Sequence, residues 1–182
     1  ILIVSGFLGA GKTTFIKRLA RNVDQRFAIL ENEYGAAGID GARLGQNRQG
    51  TQKNVWEMTE QCICCIGKKD FAASVLTIAN VVDPEYLIVE PTGVGSLARI
   101  IENLRQIEYE RIQLLSPVTI VDVYSYRRYM AEYPELYQDQ IRSADTIIVS
   151  KTEACQAEEK QRIQKFLQEI NSQAKIITDY AS

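Results

Sequence analysis

The sequence predicts an α/β fold: a mostly parallel sheet covered by helices on both faces. Two observations carry that expectation. Short apolar runs alternate along the chain with longer stretches whose apolar residues recur every three or four positions. The short runs are apolar almost throughout, as strands buried on both sides are, rather than at every second residue. No repeat, low-complexity tract or linker interrupts the pattern, so residues 1–182 read as one domain.

The elements follow in order. "ILIVS" (1–5) is short, apolar and β-branched, and reads as a buried strand. After a glycine-rich turn comes a helix from about Lys12, with Phe15, Ile16, Leu19, Ala20 and Val23 on one face. "FAILE" (27–31) is a second strand. Residues 32–50 are rich in glycine and poor in bulky apolar side chains, and read as a long loop. "NVWEM" (54–58) reads as a short strand. A helix over about 69–82 places Phe71, Ala72, Val75, Leu76 and Ala79 together. "YLIVE" (86–90) is a strand, and Leu97, Ile100, Ile101 and Leu104 mark the next helix. "VTIVD" (118–122) and "TIIVS" (146–150) are strands flanking one or two helices interrupted at Pro134. Ile163, Phe166, Leu167 and Ile170 mark a last helix, and "KIIT" (175–178) a last strand.

Composition narrows the function class. The chain has 46% hydrophobic and 24% charged residues, ordinary for a soluble globular domain. With 21 Lys and Arg against 23 Asp and Glu the formal net charge is −2, which gives no global pull towards nucleic acid or an anionic membrane. No apolar run approaches the roughly 20 residues that span a bilayer. The start "ILIVSG" has neither a basic leader nor an initiating Met, so nothing suggests export, a cytoplasmic location is expected, and the chain reads as a fragment. Three of the four cysteines crowd together, unlike a disulfide framework, and there is no histidine.

"GFLGAGKT", Gly6 to Thr13, has the form G-x-x-x-x-G-K-[ST] between a predicted strand and a predicted helix. Gly6, Gly9 and Gly11 permit the backbone to turn successive N–H groups, including that of Ala10, towards phosphate oxygens. The helix N-terminus adds its dipole. Lys12 would reach the β and γ phosphates, the Thr13 hydroxyl would ligate Mg²⁺, and Thr14 would donate to the α phosphate. Glu90, closing the strand "YLIVE", is the expected carboxylate of the Mg²⁺ shell, and Gly93 offers an N–H to a γ phosphate. "VSKTE" (149–153) lies where a guanine-reading N-K-x-D would fall, with Ser150 in place of Asn, Lys151 along the base and Glu153 accepting from its edge.

"CICC" (62–65) supplies three thiols in four residues. In an extended segment Cys62 and Cys64 point to one side; in a helix Cys62 and Cys65 face together. Thiolates suit Zn²⁺, Cu(I) and iron–sulfur chemistry, and Lys68, Lys69 and a helix N-terminus favour the thiolate form. With no histidine, a fourth ligand has to be a carboxylate, water, a second copy or a client, a shell suited to delivery. A buried apolar cluster and a Cys62–Cys65 redox switch are the other readings. Cys155, isolated, reads as a small core residue.

These motifs together resemble the CobW/UreG/HypB class of P-loop GTPases, and specifically its CobW-like metallochaperone branch. The resemblance rests on "GFLGAGKTT", "ENEYGAAGID" (31–40), "CICC", "EPTG" (90–93) and "SKTE" (150–153), in that order, and spans essentially the whole chain. It implies a P-loop NTPase three-layer sandwich, GTP hydrolysis, and binding or delivery of Zn²⁺ or Co²⁺ to a client metalloprotein or cofactor-pathway enzyme. It carries the phosphate loop to Gly9, Gly11, Lys12, Thr13 and Thr14, the first switch to Glu31, Asn32 and Glu33, the second to Glu90 and Gly93, and the metal thiols to Cys62, Cys64 and Cys65. It makes Glu31 and Glu33 the nearest carboxylates for the fourth metal ligand. Glu31, Glu33 and Glu90 all remain open as the residue that orients the attacking water. A homodimer is one expected source of stimulation.

The sequence departs from the family pattern at Ala36, where an acid is common, and at Glu60-Gln61, where Asn-Gly is usual. A C-terminal family domain is expected to be absent from this chain. The competing classes are a P-loop phosphotransferase, which would need an acceptor pocket and an arginine-rich lid, and a nucleotide-bound thiol redox switch.

Overall fold

The structure is a computed structural model that describes residues 1–22, 25–31, 55–59 and 68–179. Asn32, Glu33, Ala36, Glu60, Gln61, Cys62, Cys64 and Cys65 lie outside those residues, as does the expected loop over 32–50.

The seven strands are β1 (Leu2–Gly6), β2 (Phe27–Glu31), β3 (Val55–Thr59), β4 (Tyr86–Glu90), β5 (Val118–Asp122), β6 (Thr146–Ser150) and β7 (Lys175–Ile177). They form one sheet in the order β3-β2-β4-β1-β5-β6-β7. Every pairing is parallel, as the near-continuous apolar runs predict. The helices are α1 (Lys12–Asn22), α2 (Lys68–Val81), α3 (Leu97–Arg105), α4 (Tyr126–Glu132), α5 (Pro134–Arg142) and α6 (Ala157–Ile170). Pro134 resolves the expected interruption into two helices. Its ring closes α4 after Tyr133 and starts α5 at a position where no N–H is needed.

The two faces are covered unequally among the described residues. Ile16 of α1 lies against Val4, Ile29, Ile88, Ile120 and Ile148 on one face. The other face, with Ile3, Leu30, Val89, Val121 and Val149, is covered by α2, α3, α5 and α6 through Val75, Leu97, Ile141 and Ile163. The buried spacing Leu97, Ile100, Leu104 is the 3.6 period predicted for α3, and Ser96 caps that helix by accepting from the Arg99 N–H at 3.3 Å. Cys155 is half-buried at the margin of this core, and its thiol donates to the Gln156 carbonyl.

Strand order fixes where a ligand can sit. β1 is flanked by β4 on one side and β5 on the other, so the crossovers leaving this centre run in opposite directions. In such sheets the crevice opens beyond the carboxyl ends of the strands at that reversal. β1 delivers the glycine-rich turn there, β4 delivers Glu90, and β2, in register, sets Glu31 beside Glu90.

Candidate functional site

At the C-terminal edge of the sheet lies a cleft of about 470 Å³ lined by Leu8, Gly9, Gly11, Lys12, Thr13, Thr14 and by Glu90 to Val94. Its first wall is the turn between β1 and α1. Gly9 and Gly11 adopt φ of 73° and 98°, open to glycine and strained for other residues, which is why the sequence needs them there. Ala10 is buried, and its N–H bonds back to the Phe7 carbonyl at 3.1 Å to close the turn. Lys12 is only 8% exposed, and its ammonium donates to the same Phe7 carbonyl at 3.3 Å.

The second wall is the segment after β4. The Thr13 hydroxyl donates to Glu90 at 3.2 Å from Oε1, and the Lys12 ammonium lies 3.9 Å from the same oxygen. Lys12, Thr13 and Glu90 are therefore brought together as the sequence expects. Gly93 approaches the first wall so closely that a Cβ built on it would lie 2.6 Å from the Leu8 nitrogen. Two hard oxygen donors beside a buried ammonium match a small hard cation bound mainly through phosphate oxygens and water.

The residues expected to read a base lie at the end of β6, outside the lining of this cleft. The buried Ser150 hydroxyl donates to the Ala10 carbonyl at 2.6 Å and so ties β6 to the phosphate turn. Gly11 passes this hydroxyl with room for no more than an ordinary contact. Lys151 has φ of 61°, and its ammonium donates to Asp122 Oδ2 at 2.7 Å. Glu153 is exposed.

Asp122 closes β5 as Glu90 closes β4, yet motif spacing did not single it out. Burial raises its carboxyl pKa, but the hydrogen bonds from Lys151, the Tyr124 N–H and Ser125 outweigh that and hold it below the usual value. The signal available was an acid ending an apolar strand.

Helices α4 and α5 back both walls, which spacing also missed. The Tyr129 hydroxyl donates to the Leu8 carbonyl at 2.9 Å, and the Phe7 ring lies among Tyr129, Tyr133 and Tyr137, with centroids 4.6, 5.8 and 5.0 Å away. Asp139 accepts from the Leu97 N–H at 2.7 Å and caps α3. Burial and nearby Asp122 push the Tyr137 phenol well above its usual pKa, so it stays neutral beneath the site. A second cleft, of about 560 Å³ beside Asp83, Glu85 and Arg111, is lined from the beginning of β4 and brings none of the expected site residues together.

Among the described residues no three Cys, Asp or Glu side chains converge to hold a metal ion. β3 ends at Thr59 on the same sheet edge, three positions before Cys62, and α2 begins at Lys68, three positions after Cys65. Among the described residues no helix is long and apolar enough to cross a membrane.

Known proteins agree with this geometry. The zinc chaperone YeiR of Escherichia coli is 30% identical over 178 residues, covering 96% of this chain and 53% of its own length. The zinc chaperone CobW of Pseudomonas aeruginosa is 28% identical, covering 90% of this chain and 51% of its own. The chain thus spans about half the length of the curated relatives it matches. The crystal structure of the Zn(II)-bound YjiA GTPase from E. coli superposes over 100% of this chain and 57% of its own, with a TM-score of 0.71 at 22% identity, which establishes the same fold. The CobW/HypB/UreG nucleotide-binding domain matches residues 1–178. That match covers nearly the whole chain, and the chain belongs to the CobW/HypB/UreG family.

Proposed function

We propose that this chain binds GTP and GDP, hydrolyses GTP at the γ-phosphate, and couples nucleotide state to binding or delivery of a transition metal of the zinc or cobalt kind. The single observation that carries the nucleotide half is the convergence of Lys12, Thr13 and Glu90 on the cleft beneath the glycine turn. Lys12, held at the floor by the Phe7 carbonyl, places its charge where the β–γ bridge and γ oxygens would lie. Thr13 and Glu90 would hold Mg²⁺, which when bound neutralises charge on the phosphates. The turn amides of Gly9 and of Gly11 to Thr13 orient the polyphosphate, that of Ala10 being taken by the Phe7 carbonyl, and Thr14 closes the lining towards the α phosphate. Glu31 and Glu90, paired in register at the ends of β2 and β4, are with Glu33 the candidates for orienting the attacking water. Lys151 and Glu153 supply the guanine preference, with Ser150 fixing their strand against the phosphate turn.

No arginine lines the cleft among the described residues, so the lone chain is expected to turn over slowly until a partner, metal or second copy contributes. The metal half rests on Cys62, Cys64 and Cys65, with Glu31 or Glu33 as a further ligand. It is supported by the relatives being zinc chaperones and by β3 and α2 bringing the flanking chain to this side of the molecule. The metal is cargo, passed to a client metalloprotein in the cytoplasm.

The experiment is a Zn²⁺ or Co²⁺ titration with GDP and with a non-hydrolysable GTP analogue, on wild type and Cys64→Ser. Affinity is expected to differ between nucleotides in wild type and to fall in the variant; identical affinities in all four cases would sink the coupling. Phosphate release from GTP without an acceptor, faster than from ATP, checks the hydrolytic half.

A further inference from the structure

The turn after β4 is held from behind by two neighbouring side chains of α5. Gln140 is 1% exposed, and its Nε2 donates both to the Gly93 carbonyl at 3.1 Å and to the Gly95 carbonyl at 3.0 Å. Its own backbone carbonyl accepts from the Thr119 hydroxyl at 2.9 Å, which anchors the residue to β5 in the sheet centre. One position earlier, Asp139 accepts from the N–H groups of Leu97 and Ala98, where the turn runs into α3. The turn is closed on itself by the Gly95 N–H to the Thr92 carbonyl at 3.0 Å.

A buried glutamine here is not explained by packing. Gln140 lies on the apolar stripe of α5 between Tyr137 and Ile141, where a leucine would be buried without a desolvation cost. Its Oε1 is buried and accepts no hydrogen bond among the described residues, so the side chain carries that cost while both of its amide hydrogens serve the turn. Peptide geometry supplies the consequence. In a trans peptide the N–H points opposite to the preceding carbonyl. With the Gly93 carbonyl drawn towards α5, the Val94 N–H faces away from α5, and Gly93 and Val94 both line the cleft.

We propose that Gln140 is a positioning residue for γ-phosphate recognition: by holding two carbonyls of the 92–95 turn against α5 it presents the Val94 N–H to the terminal phosphate, and so sets preference for the triphosphate over the diphosphate. This rests on the reading that the cleft binds GTP and GDP. On that reading the diphosphate would be held by the glycine turn and Lys12, on the opposite wall, without the Gln140 contact.

The test is calorimetric binding of GDP and of a non-hydrolysable GTP analogue to wild type, Gln140→Met and Gln140→Asn, with thermal melting as the check of folding. Gln140→Met keeps an unbranched side chain of similar length without the donor; Gln140→Asn keeps the amide but withdraws its reach, and serves if the first variant does not fold. In both, analogue affinity is expected to fall about tenfold, the scale of one lost hydrogen bond, while GDP affinity stays within about twofold. The kcat for GTP is expected to fall in step with analogue affinity. A purely structural role would lower both affinities together, and that result, or no change in either, overturns the proposal. Wild type that binds neither nucleotide overturns the functional reading and this role with it, whereas wild type that discriminates and variants that discriminate equally overturn only the role of Gln140.

Discussion

The Lys151 ammonium donates to Asp122 Oδ2 across 2.7 Å, joining the carboxyl ends of β6 and β5, and it does so from a backbone at φ 61°. A non-glycine residue in that region costs about 1–3 kcal/mol and persists where its surroundings hold it. The Asp122 pair is one contact made from that backbone, and Asp122→Asn is expected to lower stability by about 0.5–1 kcal/mol at pH 7, the smaller figure because Lys151 is half-exposed. Asp122 has a lowered folded-state pKa, so its contribution is fully present above the unfolded value of about 3.9 and is lost as pH falls through the folded one. Denaturant unfolding at pH 7, 5 and 3 should show a constant gap between wild type and variant down to about pH 4, closing below. A gap that widens on acidification would contradict the pair.

Glu90 faces both Thr13 and Lys12, and that dual contact separates two effects of one substitution. Glu90→Gln removes a negative charge from the cleft, so GDP binding without Mg²⁺ is expected to tighten about three- to tenfold. The same change removes an anionic oxygen from the expected Mg²⁺ shell, so Mg²⁺-dependent hydrolysis is expected to fall about 10²-fold. Binding with and without chelator, alongside phosphate release, reads both arms. A variant that binds more weakly in chelator would refute the charge assignment.

Gly93→Ala places a methyl group against the Leu8 amide with a separation of 2.6 Å. Backbone stands on both sides, so one wall has to move. Overpacking of this kind costs about 1–3 kcal/mol, and the expected readouts are a lowered melting temperature and a loss of hydrolysis of about 10²-fold with GDP affinity less affected. Retention of full turnover would mean that the two walls are free to separate.

Ser150→Ala removes the buried donor to the Ala10 carbonyl and should cost about 1–2 kcal/mol in denaturant unfolding. Because that carbonyl belongs to the phosphate turn, affinity for GTP and GDP should fall together, by about three- to tenfold. A change in GTP-over-ATP preference without a change in affinity would instead place Ser150 at the base.

What was legible in the sequence was what local chemistry dictates. Gly9 and Gly11 are legible because their φ values exclude other residues, and Glu90 because a charge ending an apolar strand needs a reason. Pro134 marked the α4–α5 boundary because it cannot lie inside a helix. Parallel pairing followed from apolar runs, but the order β3-β2-β4-β1-β5-β6-β7 did not, since alternation fixes strand direction and leaves neighbours open. The same limit hid Asp122, Asp139 and Gln140, whose partners lie far along the chain. Gln140 did leave a trace, as a polar residue on a buried helical stripe, though such a residue announces a partner without naming it. The unequal covering of the sheet faces had no signature in periodicity, because each helix shows one apolar stripe whichever face it covers.

The bonds that join the walls of the cleft and brace them are distant in sequence: Thr13 to Glu90 spans 77 positions, Gly93 to Gln140 spans 47, and Ala10 to Ser150 spans 140. In kinetic terms, the glycine turn can close locally, but its two walls meet only across the assembled sheet, so the loop-closure entropy of that sheet has to be met before the complete cradle exists. Nucleotide affinity therefore reports completion of folding, and a ligand present at 100 times its Kd would add about 2.7 kcal/mol to the stability of the entire domain rather than to one loop. A cell that starves the domain of nucleotide would lengthen the time its open forms are exposed to proteases.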